Sequence, residues 1–557
     1  MEVVFYFDVG CADSHVAAHR VARWTRDLPP ASVAVRWVPV ARGALAELNR
    51  VGNAGARAGV GVRDAGVAPG SPALHEGHPR RGQAVLDVCL ESARHGVMLD
   101  ASTLGDAVAA RGVRDAMRLV AVAEGEAVRR RLARALFKVR WGGGSDALEV
   151  DLDPAHLAML SAAFGVDGAF LASPGSARLA AADAQLEANA RAAFADARAP
   201  GVPCFALSRG GELQTMFYGA DRLALLDARV RAELAARGGL PYPRPVALDA
   251  GSAGELVRRN RWAVGGAQGG QGQGPRVDFF FDLVSPWSYL AFGEVSGPID
   301  ALCRAAGVPG GVTFRPVLLG ALFKQIGTAS VPGAKVDNVN LRRYGMRQDF
   351  HDWAQHRGVA GRARLNAKFP FRSSVANRVC CAEPRAVGPL FRAGWEQDVD
   401  LGDEAQVERV LVDAGFDGHA AASLVARAKS DPELRRQLEA NTADAVAGGI
   451  CGAPAIRLSG ARGISQVWDE LTSQVPPPGG AARAYRLGLA RSPGLQASRD
   501  LGAVTFWGND RLDAFVWFLV VLARYNAANG KGDGVALWDE QRLIHSFATP
   551  DAPFARL

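Results

Sequence analysis

The apolar and polar positions of this chain fall into a pattern that occurs twice. VVFYFDVGCADSHVAAHRVARW from Val3 and VDFFFDLVSPWSYLAFGEV from Val277 each read as an apolar strand, an aspartate, a short polar turn and a helix. RWVPVARGALAEL from Arg36 is matched by FRPVLLGALFKQ from Phe314, GVPCFAL from Gly201 by GAPAIRL from Gly452, and FYGADRL from Phe217 by FWGNDRL from Phe506. Four blocks in one order predict two homologous domains, 1–245 and 276–557, joined by a linker over 246–275. Strand patterns sit at the two ends of each repeat, and the middle is helical. Asn340 to Gly358 has helical spacing, and Glu404 to Ala447 is rich in Ala, Leu, Arg and Glu. The expected fold class is α/β, with a βαβ start, a helical insertion and a ββα end.

LPYPRP and GGAQGGQGQGP flank the linker and are turn-rich, while ELVRRNRWAV between them has the pattern of a short helix packing between the domains. From Pro203 to Gly219 is 16 residues, but from Pro454 to Gly508 is 54, so the second hairpin carries an insertion over 460–503. A lid or an interdomain contact is the functional reading of that insertion. Filler is the plain one.

Composition narrows the function. The chain has 557 residues, is 48% hydrophobic and 22% charged, and carries a formal net charge of +7. Its basic residues are scattered among acids and form no block of five or six, which argues against a nucleic-acid partner. The longest apolar run, Phe515 to Ala523, is about half of the roughly 20 residues a membrane span requires, so no membrane partner is expected. The N-terminus reads at once as a strand, and the 7 cysteines contain no CxxC pair, which together favour a cytoplasmic setting. Ala555-Arg556-Leu557 loosely matches a peroxisomal signal, the alternative being a peroxisomal or mitochondrial location in a eukaryote. No metal site is expected: His15 and His19 lack a second ligand pair.

FFFDLVSPWSYLAF, FRPVLLGALFK, ANTADAVAGGICGAPAI and FWGNDRLD together resemble the DsbA-like thioredoxin superfamily, and within it 2-hydroxychromene-2-carboxylate isomerases and kappa-class glutathione transferases. The resemblance covers nearly all of 276–557 and, more weakly, 1–245. It implies two thioredoxin-like domains, each interrupted by a helical subdomain, with glutathione as cofactor and an aromatic or otherwise electrophilic small molecule as substrate. Isomerisation is the leading reading and kappa-class transfer the alternative. A thiol-disulfide oxidoreductase using Cys11 and a non-catalytic binding or scaffold protein are the rivals from other classes.

The resemblance also implies roles for residues. Ser285 opens a helix, where backbone N–H groups and the helix dipole favour an anion, and in the family this serine activates the glutathione thiolate. A plain N-cap serine is the bland alternative. Ala453-Pro454 matches the cis-proline that presents its backbone to a peptide-like ligand. Asn509, Asp510 and Arg511 match the loop for the γ-glutamyl end of glutathione, with an Asx cap and a solvated arginine as the other reading. Arg342 stands where relatives carry a lysine for the glycyl carboxylate, although an exposed helix arginine fits nearly as well. Thr328 replaces a family asparagine. In the first repeat the serine position is Cys11, whose thiol is expected to feel both the helix N-terminus and the opposing charge of Asp13. Arg80, Val202, Pro203, Asp221 and Arg222 form a possible first-domain site, and a Cys11–Cys204 disulfide is one further expectation. The first domain is read as divergent and the second as carrying the better preserved site. The two could pair within one chain, or the chain could form a homodimer.

Overall fold

The computed structural model describes residues 1–29, 32–54, 79–95, 97, 99, 110–141, 152–236, 250–264, 274–328, 338–467 and 502–529. Both flanking linker stretches, most of the 460–503 insertion and the C-terminal tripeptide lie outside them. In the first repeat, β1 (Glu2–Phe7), α1 (Ala12–Asp27) and β2 (Ala34–Pro39) form the βαβ start, followed by α2 (Arg42–Ala54). The helical middle comprises α3 (Pro79–Arg94), α4 (Ala110–Val122), α5 (Glu126–Trp141), α6 (Pro154–Ala162) and α7 (Ala177–Ala195). β3 (Cys204–Arg209), β4 (Glu212–Tyr218) and α8 (Leu223–Ala236) close the unit.

Helix α9 (Ala250–Asn260) precedes the second repeat, which opens with β5 (Arg276–Phe281), α10 (Pro286–Glu294), α11 (Asp300–Ala305), β6 (Val312–Pro316) and α12 (Leu319–Gln325). Its middle holds α13 (Val339–Arg343), α14 (Phe350–His356), α15 (Ser374–Ala382), α16 (Val387–Glu396), α17 (Glu404–Asp413), α18 (Gly418–Ser430) and α19 (Pro432–Ala447). β7 (Ala455–Ser459), β8 (Ala503–Trp507) and α20 (Leu512–Asn529) complete it. A π-helical turn at Val295–Ile299 joins α10 to α11, and another at Tyr344–Asp349 joins α13 to α14. Residue Pro298 lies in the first of these, where the wider turn accommodates a missing N–H donor.

The two sheets have one topology, β2-β1-β3-β4 and β6-β5-β7-β8, with the first pair parallel and the others antiparallel. The central strands β1 and β5 are buried on both faces, which is why they read as continuous apolar runs. Alternation sends Val3, Phe5 and Phe7 into a large core shared by both repeats, and Val4 and Tyr6 into a smaller core against α2 and α7. In β5, Asp278 takes the place of Val4 and is buried against Arg457 at 3.2 Å.

The two repeats superpose bond for bond at the strand ends. Val40 N–H donates to Phe7 O at 2.8 Å and Val317 N–H to Phe281 O at 2.8 Å. Trp141 Nε1 donates to Val9 O at 2.7 Å and Trp395 Nε1 to Leu283 O at 2.8 Å. Among the described residues no helix is long and apolar enough to cross a membrane.

The linker helix departs from the expectation of packing between domains. α9 packs against α11 and α20 of the second repeat, with Ala253 and Val257 fully buried. Val264 N–H donates to Ala306 O at 2.9 Å and ties off its end. Val257→Asp would place an unpaired carboxylate in that seam. We expect a loss of about 2–5 kcal/mol, read from the denaturant midpoint; an unchanged midpoint would remove α9 from the fold of the second repeat.

Candidate functional site

The turn after each central strand is held by an aspartate. Asp282 Oδ1 accepts from Val284 N–H at 3.1 Å and Asn377 Nδ2 at 2.8 Å, and its Oδ2 accepts from Leu319 N–H at 2.8 Å. In the first repeat Asp8 accepts from Gly10 N–H at 2.7 Å and Arg42 N–H at 2.9 Å. Burial raises both carboxyls above their usual range, opposed by these N–H donors. Both aspartates stand in the repeated strand-Asp motif, yet their clamping role was not legible there, because it depends on backbone donors 37 and 34 residues away.

This clamp sets the start of α10. Ser285 N–H donates to Asp282 O at 2.9 Å, and Tyr289 N–H donates to Ser285 O at 3.2 Å. The Ser285 hydroxyl accepts from Ser288 N–H at 3.2 Å and donates to Ala453 O at 3.1 Å. Pro286 has no N–H, so Trp287 N–H remains as a first-turn donor without an acceptor among the described residues. The Ala453-Pro454 peptide is cis, and Gly508 N–H donates to Pro454 O at 2.9 Å. Gly452 has no room for a side chain, since a Cβ would meet Trp507 Nε1 at 2.7 Å.

Ser285, Ala453 and Trp507 line a cavity of about 510 Å³. Its walls are mainly apolar and include Leu318, Phe323, Met346, Phe369 and Phe371. A third cis peptide, Phe369-Pro370, shapes one wall. Sequence reasoning missed this wall, and the Phe-Pro-Phe run was its only signal. Residue Arg342, on α13, is half-buried and one turn from Met346, but is not on the lining. Residue Thr328 is also off the lining, and its buried Oγ1 has no hydrogen-bond partner among the described residues.

The first repeat holds the same frame with different chemistry. Cys11 N–H donates to Asp8 O at 3.0 Å, its Sγ lies 3.7 Å from Val202 O, and the Val202-Pro203 peptide is cis. Here Tyr344 of the second repeat enters the small core that contains Cys11, Val202 and Cys204. Its hydroxyl accepts from Tyr218 N–H at 3.2 Å and donates to Asp349 at 3.0 Å. The Cys11 thiol is buried and pushed up to about 11 by desolvation and then by Asp13, which works against a nucleophilic or redox role. Cys11 and Cys204 are both free, so the disulfide expectation is corrected: the thiol faces the Val202 carbonyl, and Cys204 lies in β3.

The Asp-Arg loops are placed differently from the expectation of a waiting ligand site. Arg222 binds Asp349 through Nη2 at 2.8 Å and, through Nη1, both Asp221 and Asp510. Arg511 pairs with Asp221 at 2.6 Å and approaches Asp87 at 3.4 Å. Each arginine therefore reaches an aspartate on the other repeat's insertion, and Asp510 already has a cation. Gly219 and Gly508, at φ +111° and +107°, make this possible, because a Cβ on either would collide with the Asp221 or Asp510 carboxylate. Asn509 is buried, and its Oδ1 has no hydrogen-bond partner among the described residues. Arg80 lies on α3, beginning the turns that lead to Asp87; its side chain is outside the described residues. No group of three or more metal-binding side chains occurs among the described residues.

The DSBA-like thioredoxin domain profile matches residues 2–231 and 276–475. The chain belongs to the DSBA-like thioredoxin domain family. No curated protein matches it. Among solved structures, a 2-hydroxychromene-2-carboxylate isomerase is 20% identical, covering 43% of this chain and 98% of its own, with a TM-score of 0.30. A candidate protein disulfide isomerase from Nitrosomonas europaea is 16% identical over 39% of this chain and 96% of its own, with a TM-score of 0.24.

The interface of this DSBA-like pair holds a buried carboxyl expected to respond to pH. Burial pushes Asp87 up to about 7, partly offset by Arg511 and the bond from Gln83. The native state then retains a proton that the unfolded chain has lost, so this group's contribution to stability falls as pH rises from about 4 to 7. Relative to Asp87→Asn, the wild type should lose of order 2–4 kcal/mol across that window in denaturant titrations; parallel profiles would contradict the assignment.

Proposed function

We propose that this protein is a glutathione-dependent isomerase of the 2-hydroxychromene-2-carboxylate isomerase type, acting on an aromatic or otherwise electrophilic small molecule, with kappa-class transfer as the alternative outcome of the same site. The observation that carries this reading is the Ser285 hydroxyl, held against Ala453 O at a helix N-terminus and opening on an apolar cavity. The second repeat has no cysteine at this position, so its anion-favouring seat fits a thiolate brought by a ligand. Asn509 Oδ1, buried without a hydrogen-bond partner among the described residues, fits an ammonium or amide donor of such a ligand.

Glutathione, when bound, supplies the thiolate that adds to a conjugated carbon and, in isomerisation, leaves after rotation about the former double bond. The chain's own residues stabilise and enclose. Rotation of the Ser285 hydroxyl from Ala453 O toward the cavity turns its one proton into a donor for sulfur, and Trp287 N–H is the second donor. Phe369, Phe371 and Phe323 hold an aromatic ring and exclude water. The first repeat serves as a fixed partner, its thiol buried in a core that Tyr344 also enters.

Ser285→Ala removes one donor. A fall of about 10- to 1,000-fold in kcat/KM is expected, together with loss of the thiolate ultraviolet absorbance of bound glutathione. Unchanged absorbance would sink the mechanism. Cys11→Ser should leave turnover unchanged, and insulin reduction dependent on Cys11 would instead establish the oxidoreductase.

A further inference from the structure

We propose that Arg372 is a specificity-determining residue of the Ser285 cavity, selecting electrophiles that carry an anionic group on the ring. Two residues with ionisable side chains line this chamber, Asp282 and Arg372. Asp282 is committed to the fold, since its two oxygens accept from Val284, Leu319 and Asn377, and it is only 2% exposed. Arg372 is exposed at the end of the cis-Pro370 turn, and its side chain makes no ion pair or hydrogen bond among the described residues. Asp400 approaches the same loop, but its carboxylate accepts from Gly402 N–H at 2.8 Å and forms no pair with Arg372.

The cavity therefore offers a ligand one uncommitted charge, and it is positive. A volume of about 510 Å³ accommodates a small fused or substituted ring system. Carboxylate or sulfonate oxygens match the planar guanidinium fork, and an anion held there leaves its ring among Phe369, Phe371 and Leu318, in the same chamber as the Ser285 hydroxyl. The inference rests on the reading that the electrophile reacts beside Ser285, and it adds which electrophiles are retained.

The test compares a chlorodinitrobenzene with its ring carboxylate, a chlorodinitrobenzoate, as acceptors from glutathione, with chloride leaving as the carbon–sulfur bond forms. For Arg372→Gln we expect KM for the benzoate to rise about 10-fold with kcat little changed, the neutral substrate to stay within about twofold, and Arg372→Lys to recover part of the loss. Equal shifts for both substrates, or none for either, overturn the proposal. If neither substrate is conjugated by the wild type, the transferase alternative fails, and Arg372 is then tested by binding alone. Quenching of Trp287 and Trp507 fluorescence by a naphthalene carboxylate, against neutral naphthalenemethanol, should weaken about 10-fold for the acid in Arg372→Gln. No difference between the two ligands overturns the role of Arg372 whatever the nucleophile.

Discussion

Arg222 and Arg511 hold the two repeats in one body, and the rest of the molecule is arranged around keeping these two cations buried. Four carboxyls, Asp87, Asp221, Asp349 and Asp510, face two guanidiniums in a setting where each charged side chain is at most one-sixth exposed. Removing one arginine from such a group leaves carboxylates without counter-charge, at a cost of about 3–5 kcal/mol, far more than a surface pair contributes. Burial raises Asp87 and Asp510, whereas Arg222 and Arg511 hold Asp221 well below its usual range against the same burial. The interface is nearly two-fold. Gln83 donates to Thr505 O in one direction and Gln348 to Met216 O in the other, so each insertion grips the equivalent carbonyl of the other repeat's edge strand.

Against that near-symmetry, the repeats differ at one aligned position. The repeats carry RRGQAVLD from Arg80 and RRYGMRQD from Arg342, each ending on the aspartate that meets the opposite arginine. Five residues before that aspartate stand Gly82 in the first and Tyr344 in the second. Tyr344 packs in the small core that contains Cys11, whereas the aligned residue of the first repeat is a glycine. An aromatic ring of the second repeat thus belongs to the core around the first of the two equivalent thioredoxin-type seats. The other keeps a chamber of about 510 Å³.

What could be read from the chain was whatever is local and repeated. Aligning the halves was enough to find the strands, to equate Cys11 with Ser285 and to single out Pro203 and Pro454, because each lies within a few residues of a strand end. The Asp-Arg loops were visible as motifs, but their partners were not. Nothing near Arg222 in the chain announces Asp349, 127 residues on, or Asp510, 288 residues on. The cavity wall was hidden for a related reason. Phe369 and Phe371 line it because a cis peptide at Pro370 turns that run back toward α10, and isomer choice at an X-Pro bond is set by tertiary context.

The two nucleophile seats also measure what a helix N-terminus can do unaided. Cys11 occupies the same position relative to α1 that Ser285 occupies relative to α10, so both feel a favourable dipole of about 0.3–1 kcal/mol. Yet desolvation and Asp13 push Cys11 up to about 11. Burial outweighs the dipole, and a thiol placed there by the chain itself stays protonated near neutrality. A thiolate brought to the second seat escapes this only through donors aimed at sulfur and a path to solvent. Under the proposed function the Ser285 hydroxyl, Trp287 N–H and the cavity would supply those, whereas Cys11 lies in a small core that Tyr344 also enters. Serine is the better residue for that position for the same reason, since its neutral hydroxyl can be buried at 3% exposure with both bonds made and still turn to meet an anion when one arrives.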